Sequence, residues 1–354
     1  MTDLAYLHGE PSATADIRTS NADLLVQEIL PFLPSGEGEH HLIHIRKDGL
    51  NTADVAKKIS SFAGVHPKEV TVAGQKDKNA ITEQWFGVRI PGKETPDWQQ
   101  LNSEQITVLS SGRHIKKLRT GALSGNRFTI TLRKVSDPQA VVARLELIKQ
   151  HGVPNYFGEQ RFGHNGKNLV FGRQMLSGKR VKDRNKRSFY LSAVRSNLFN
   201  QHVAARIASH GTDTLTGDCV MLAGTRSYFV AEQWDDTLVE RLQRRDIVLS
   251  CPLWGRGSAL AQGDAAQFEA QVAEPFNDDC IGLEKAGLDQ ERRALLLQPE
   301  QLSYQVSDDT VVIKFALPAG CFATSVLREV AVYEDVNARE YALRQQQQLE
   351  QKND

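Results

Sequence analysis

The sequence predicts an α/β fold, and three observations point to it. Strand and helix periodicities alternate through the N-terminal third of the chain. A Gly152-Val153-Pro154 break ends one helical pattern and opens a glycine- and aromatic-rich stretch, 155–163, which is a candidate domain boundary. A strand pattern and a helix pattern then recur near the C-terminus. With 354 residues there is chain enough for two ordinary domains or one large one, so a sizeable core forms without disulfide staples.

The elements follow in order. Residues 41–46 alternate apolar and polar side chains, as a strand does, and Asn51-Thr52 then caps a helix whose Val55, Ala56, Ile59 and Phe62 recur at helical spacing. Residues 69–73 read as a second strand broken at Gly74, and 82–90 as a third, with the polar turn Gln75-Lys76-Asp77-Lys78-Asn79 between them. Residues 127–133 set Phe128, Ile130 and Leu132 on one face of another strand, and a helix runs from about 138 to 150. A long helix is expected over about 192–209, with Val194, Leu198, Val203 and Ile207 inward. Residues 310–317 form a strand, Pro318-Ala319-Gly320 a turn and 323–334 a helix; the polar tail from Gln345 reads as a helix end. A terminal strand and helix that follow an insert commonly return to the first domain.

Composition excludes several classes. A hydrophobic fraction of 40% with 24% charged and 7% aromatic residues is ordinary for a globular protein and unlike collagen, coiled coil or a disordered chain. No apolar run approaches the roughly 18 residues of a membrane span. The opening Met-Thr-Asp-Leu-Ala-Tyr-Leu-His lacks a basic n-region and a long apolar h-region, so a cytoplasmic location is expected. Cys219, Cys251, Cys280 and Cys321 have no paired spacing and read as small core residues. His40 and His41 fall on opposite faces of their strand, which favours no metal. Nothing resembles a Gly-x-Ser-x-Gly nucleophile elbow.

Charge is segregated. The 43 bases and 43 acids cancel, yet 113–134 holds seven bases and no acid, and 161–187 holds nine bases and one acid, Asp183. The remainder of the chain therefore keeps 27 bases against 42 acids. A surface that grips phosphates on one side and repels them elsewhere has this pattern, and so do solvated charged loops.

The turn Gly74-Gln75-Lys76-Asp77-Lys78-Asn79-Ala80 sets a carboxylate between two ammonium groups at the exit of an apolar strand. Flanking cations favour the carboxylate form, which is the form able to act as a nucleophile or base. A solvated turn residue fits the same local pattern.

The longer string Ala73-Gly74-Gln75-Lys76-Asp77-Lys78-Asn79-Ala80-Ile81-Thr82-Glu83-Gln84-Trp85 closely resembles the signature around the catalytic aspartate of TruD-type tRNA pseudouridine synthases. Further landmarks resemble that family in its order: Ser35-Gly36-Glu37-Gly38-Glu39-His40, Asn51-Thr52, Gly125-Asn126-Arg127-Phe128, 152–163, Arg184-Asn185-Lys186-Arg187-Ser188, and Leu317-Pro318-Ala319-Gly320-Cys321-Phe322-Ala323-Thr324. Together they span about residues 4 to 330.

The resemblance implies isomerisation of uridine to pseudouridine in tRNA, usually at uridine 13 of the D-arm, with no cofactor. It implies a mixed-sheet catalytic domain built from 1–152 together with 301–354, an inserted TRUD domain over 153–300, and an RNA cleft between them. Asp77 would be the catalytic aspartate, acting at ribose C1′ or uracil C6 as a nucleophile or at C2′ as a base. Asn126 would hold the target nucleotide or the Asp77 loop, Phe128 would stack on the flipped base, and Phe322 would be a second substrate-contacting aromatic. Arg18 would pair with the carboxylate where the family typically has lysine, and Leu24 stands where the family has a substrate-contacting phenylalanine. Lys76, Lys78, Arg184, Lys186 and Arg187 are the candidate RNA backbone contacts. The expected partner is tRNA, with no membrane and no metal, and the expected state is a monomer. A non-catalytic RNA-binding protein or RNA chaperone of the same fold is the alternative, and a metal-assisted hydrolase using the histidines is a third reading.

Overall fold

In the computed structural model of the chain, which describes residues 4–92 and 94–350, the alternating residues around Ile43 form the strand His40–Asp48. The opening Met-Thr-Asp, part of the stretch read for a leader, and the last four residues of the polar tail lie outside the described residues. The chain divides into two compact units. One comprises 4–11, Arg144–Gln298 and Cys321–Glu329; the other comprises Ser12–Ala143, Pro299–Gly320 and 330–350.

The second unit is built, among the described residues, on an eight-stranded mixed sheet. Its order is Glu300–Ser307, Thr310–Pro318, Gly125–Leu132, Leu24–Ile29, Ile81–Arg89, His40–Asp48 and Ile106–His114, with Val70–Val72 also paired to Ile81–Arg89. Neighbours run antiparallel except Leu24–Ile29 with Ile81–Arg89, where Leu25 pairs with Ile81 and Gln27 with Glu83. The helix Thr52–Phe62 lays Val55 and Ile59 on Ile43, Ile45, Phe86 and Val88, the apolar set of one sheet face. Beside this sheet, Thr14–Ile17 pairs in parallel with Val332–Asp335.

That last pairing corrects one expectation. The helix expected over 323–334 ends at Val330, and Val332 to Asp335 become a strand. Val332 and Tyr333 suit a strand once a partner is available, and tertiary pairing overrides local helical pattern. The final helix, Val336–Glu350, then covers the polar tail within the described residues.

The first unit carries an antiparallel sheet ordered Tyr228–Ala231, Asp218–Leu222, Ile247–Leu253 and Glu291–Ala294. The helix Arg184–His210 packs on it, and Phe199, Val203 and Ile207 join Tyr156, Phe157, Phe162, Val220 and Leu249 in the core. The aromatic stretch after Gly152 is therefore core-forming chain. The helix begins eight residues before the expected Ser192, because Asp183 caps it by accepting the N–H groups of Asn185 and Lys186. Its first five residues, Arg184 to Ser188, are polar, so hydrophobic periodicity does not reveal them. Cys219, Cys251 and Cys280 are buried and Cys321 is half-buried, all as free thiols.

Candidate active site

The Asp77 turn sits where the sheet of the second unit splits. The strand Ile81–Arg89 pairs with Leu24–Ile29 as far as Glu83 and with Val70–Val72 from Phe86 onward. Trp85 falls in the gap, and its main-chain N–H donates to the Glu28 carboxylate at 2.9 Å. A buried donor left without an acceptor costs about 1–3 kcal/mol, so the carboxylate replaces the missing ladder partner. The other Glu28 oxygen accepts from the Lys76 ammonium at 2.9 Å, with the two side chains 0% and 6% exposed. Glu28 thereby ties the turn to the split.

Further tethers hold the turn's main chain. Lys47 is fully buried, and its Nζ donates to the carbonyl oxygens of Leu50 at 2.7 Å and Asp77 at 2.8 Å. Burial pushes this ammonium down to about 8, with the nearby Asp77 carboxylate opposing the shift and Lys76 adding to it. The Thr52 hydroxyl donates to Gln84 Oε1 at 2.9 Å and accepts from the Lys76 N–H at 3.0 Å. Gln84 Nε2 donates to the Gly74 carbonyl at 3.2 Å, and Asn79 Nδ2 donates to Asn337 Oδ1 at 2.6 Å. Asn51 occupies the N-cap in extended conformation without a side-chain cap bond, and the hydroxyl of Thr52 serves the turn. With its backbone fixed, Asp77 leaves its side chain exposed.

Strand register decides what shares the turn's side of the sheet. Glu28 stands opposite Asn126, Val26 opposite Phe128 and Leu24 opposite Ile130. Side chains alternate along a strand, so Leu24, Glu28, Asn126 and Phe128 lie on one face. Thr82 pairs with both Val26 and Lys47, which puts Lys47, Thr82 and Gln84 on that face too. Phe128 is half-buried and stacks on Phe315 with ring centroids 5.5 Å apart. Asn126 Oδ1 is buried and accepts no hydrogen bond among the described residues. Gly125, which opens this strand, admits no side chain: a Cβ there would strike the Leu317 carbonyl.

Of the remaining sequence candidates, Lys76 and Lys78 belong to the turn itself, and the others have the following settings within their own units. Arg18, at φ +53°, is ion-paired with Asp335, which takes the guanidinium expected for Asp77. Lys76, expected on the RNA backbone, is buried against Glu28. Lys78 is the exposed cation of the turn, beside a cavity of about 250 Å³ also lined by Asn79, Asn337, Tyr341 and Arg344. Phe322 belongs to the first unit, where it is 8% exposed and meets Phe157 edge-on at 5.8 Å. Arg184, Lys186 and Arg187 are exposed on the opening turn of their helix in the same unit. His41 tilts against Trp98 at 5.7 Å while His44 stacks on Trp85 at 4.6 Å, on the opposite face of the strand.

Glu28, Lys47 and Gln84 were not among the sequence candidates. The signal for the first two was a charged residue on an otherwise apolar strand face: Lys47 follows Ile43 and Ile45, and Glu28 follows Leu24 and Val26.

Comparison with known proteins identifies relatives of the whole chain. The family described as tRNA pseudouridine synthase D (TruD) matches over residues 3–182 and 179–330. A tRNA pseudouridine synthase D of Shewanella oneidensis is 64% identical over 336 residues, covering 95% of this chain and 91% of that protein. The enzyme of that name from Aeromonas hydrophila is 49% identical over 338 residues, covering 95% and 96%. The crystal structure of the putative tRNA pseudouridine synthase D of Methanosarcina mazei shares the fold, with a TM-score of 0.74 at 20% identity over 92% of this chain and 95% of that one.

Proposed function

This chain belongs to the tRNA pseudouridine synthase D family of isomerases, and from that premise we propose that it converts uridine 13 in the D-arm of tRNA to pseudouridine, with Asp77 as the reacting carboxylate. One observation carries the assignment of Asp77. Its turn is fastened by Lys47, Thr52 and the Lys76–Glu28 pair at the sheet split, while Asn126 and Phe128 stand on the same sheet face in register with Glu28 and Val26. A tethered main chain presenting an exposed carboxylate, on a sheet whose turn-bearing face also carries an amide and an aromatic ring, suits chemistry on a single extruded base.

In this reading the target nucleotide leaves its stack at a cost of a few kcal/mol. Stacking on Phe128 returns about 1–3 kcal/mol, and the Asn126 amide holds the nucleotide. The C1′–N1 bond breaks, the uracil turns, and C1′ joins C5. The proton displaced from C5 and the one gained at N1 balance, so the product is an isomer of the substrate and no electrons are exchanged. Asp77 acts as the nucleophile at C1′ or C6, or as the base at C2′. Lys78, Arg184, Lys186 and Arg187 contact the RNA backbone, and the enzyme works as a cytoplasmic monomer. Among the described residues no helix is long and apolar enough to cross a membrane.

The test is incubation of the protein with an unmodified tRNA transcript, followed by mapping of pseudouridine at each uridine. Conversion at position 13 is expected. Bound tRNA with no pseudouridine at any position would contradict the enzyme reading and leave an RNA-binding protein of the same fold.

A further inference from the structure

In the first unit, the helices Lys167–Leu176 and Arg184–His210 enclose a groove of about 380 Å³ with an aromatic floor and a basic rim. Phe171 is 38% exposed, and its ring lies 5.7 Å from that of Tyr190 at an interplanar angle of 51°. Lys179 stands with its Nζ 5.8 Å from the Phe171 centroid, and Lys182 and Lys186 line the rim. The one carboxylate in the lining, Asp183, is occupied as a helix cap by the N–H groups of Asn185 and Lys186 at 2.8 and 3.1 Å. The groove thus offers a π-surface whose rim carries four cations, Lys179, Arg180, Lys182 and Lys186, against one carboxylate.

We propose that this groove binds one unpaired nucleotide of an RNA strand, with the base on Phe171 and Tyr190 and its phosphate between Lys182 and Lys186. The inference rests on the RNA-binding part of the proposed function and adds a second, non-reacting base subsite to it. Charge complementarity selects a polyanion. The aromatic floor selects a strand whose base faces are free, because a duplex buries those faces in its own stack. Exposed Phe189, 60% accessible on the same helix turn, extends the apolar surface beside the basic run.

The experiment measures binding of the full-length protein to a fluorescein-labelled oligoadenylate hexamer, the same length of RNA duplex, and a hexaglutamate peptide. The hexamer should bind more tightly than either competitor. Phe171→Ala should weaken it about tenfold, the loss expected when one base loses its aromatic partner, with the salt slope unchanged. Phe171→Tyr should restore affinity. Replacing both Lys182 and Lys186 by Glu should reduce the slope of log affinity against log salt by about 1.4. In Tyr190→Trp, the hexamer should quench the introduced indole, which provides a readout even where the alanine variant does not fold. Equal hexamer affinity in Phe171→Ala, an unquenched indole, or preference for the acidic peptide would overturn the proposal. Hexamer binding needs no turnover, so its failure leaves uridine isomerisation standing, and a protein without that activity can still pass this test.

Discussion

The ammonium of Lys47, buried on the sheet face that bears Asn126, donates to the main-chain oxygen of Asp77 at 2.8 Å. It reaches the backbone of the residue and leaves the carboxylate free, so Lys47 sets where Asp77 stands without competing for its chemistry. Replacement by methionine keeps the stem and deletes both of these hydrogen bonds, to the Leu50 and Asp77 carbonyls. Lys47→Met is expected to lower kcat by about ten- to a hundredfold, on the scale of about 1–3 kcal/mol for a lost buried bond, with KM changed far less. Single-turnover rates on a tRNA transcript check this; an unaltered rate would show that the turn needs no such anchor.

The same ammonium gives a pH signature. Its value of about 8 lies below the ordinary lysine value of 10.5. Between those two pH values the unfolded chain holds a proton that the folded chain has released, so the stability contribution of Lys47 rises with pH across that window. Below about 8 both states are protonated and the burial penalty is felt in full. Urea unfolding at pH 7.5 and 9.5 should show wild type gaining on Lys47→Met by on the order of 1 kcal/mol. A difference that stays constant between the two pH values would contradict the assignment.

Glu28 and Lys76 form a buried pair, and removing one partner of such a pair strands the other charge. Glu28→Gln should destabilise the protein by about 3–5 kcal/mol. The double change Glu28→Gln with Lys76→Met should recover part of that loss, because no uncompensated ammonium remains. Denaturant melts of the single and double variants separate the two effects.

Reversing the charge of Arg184, Lys186 and Arg187 together should weaken tRNA binding and flatten its dependence on salt. Three lost phosphate contacts correspond to a change of about two to three in the slope of log affinity against log salt. Titrations at a series of potassium concentrations measure it; an unchanged slope would show that these side chains touch no phosphate.

What was legible in the sequence follows a physical division. The strands around Ile43 and Phe128 and the helix through Val55 and Ile59 carry clear periodicity, and each stands within a few residues of its expected place. The family was legible too, because its landmarks are local strings. The strand Leu24–Ile29 left little trace, since its polar Gln27 and Glu28 interrupt the apolar pattern at the split. The strand Ile106–His114 was hidden because its end, Arg113, belongs to a basic run read as charge. The strand Val332–Asp335 depends on a partner more than three hundred residues away, Thr14–Ile17, which no local window contains. The same limit applies to side-chain pairings. Arg18 with Asp335 and Lys76 with Glu28 are set by the sheet's topology, and the family resemblance gave those cations other partners.

The central claim is that the Asp77 carboxylate performs the isomerisation, and Asp77→Asn tests it with almost no change in shape. On an unmodified transcript, the variant should hold tRNA within a few fold of wild type and produce no pseudouridine while wild type converts its target. Pseudouridine formed by Asp77→Asn at a rate near that of wild type would contradict the claim.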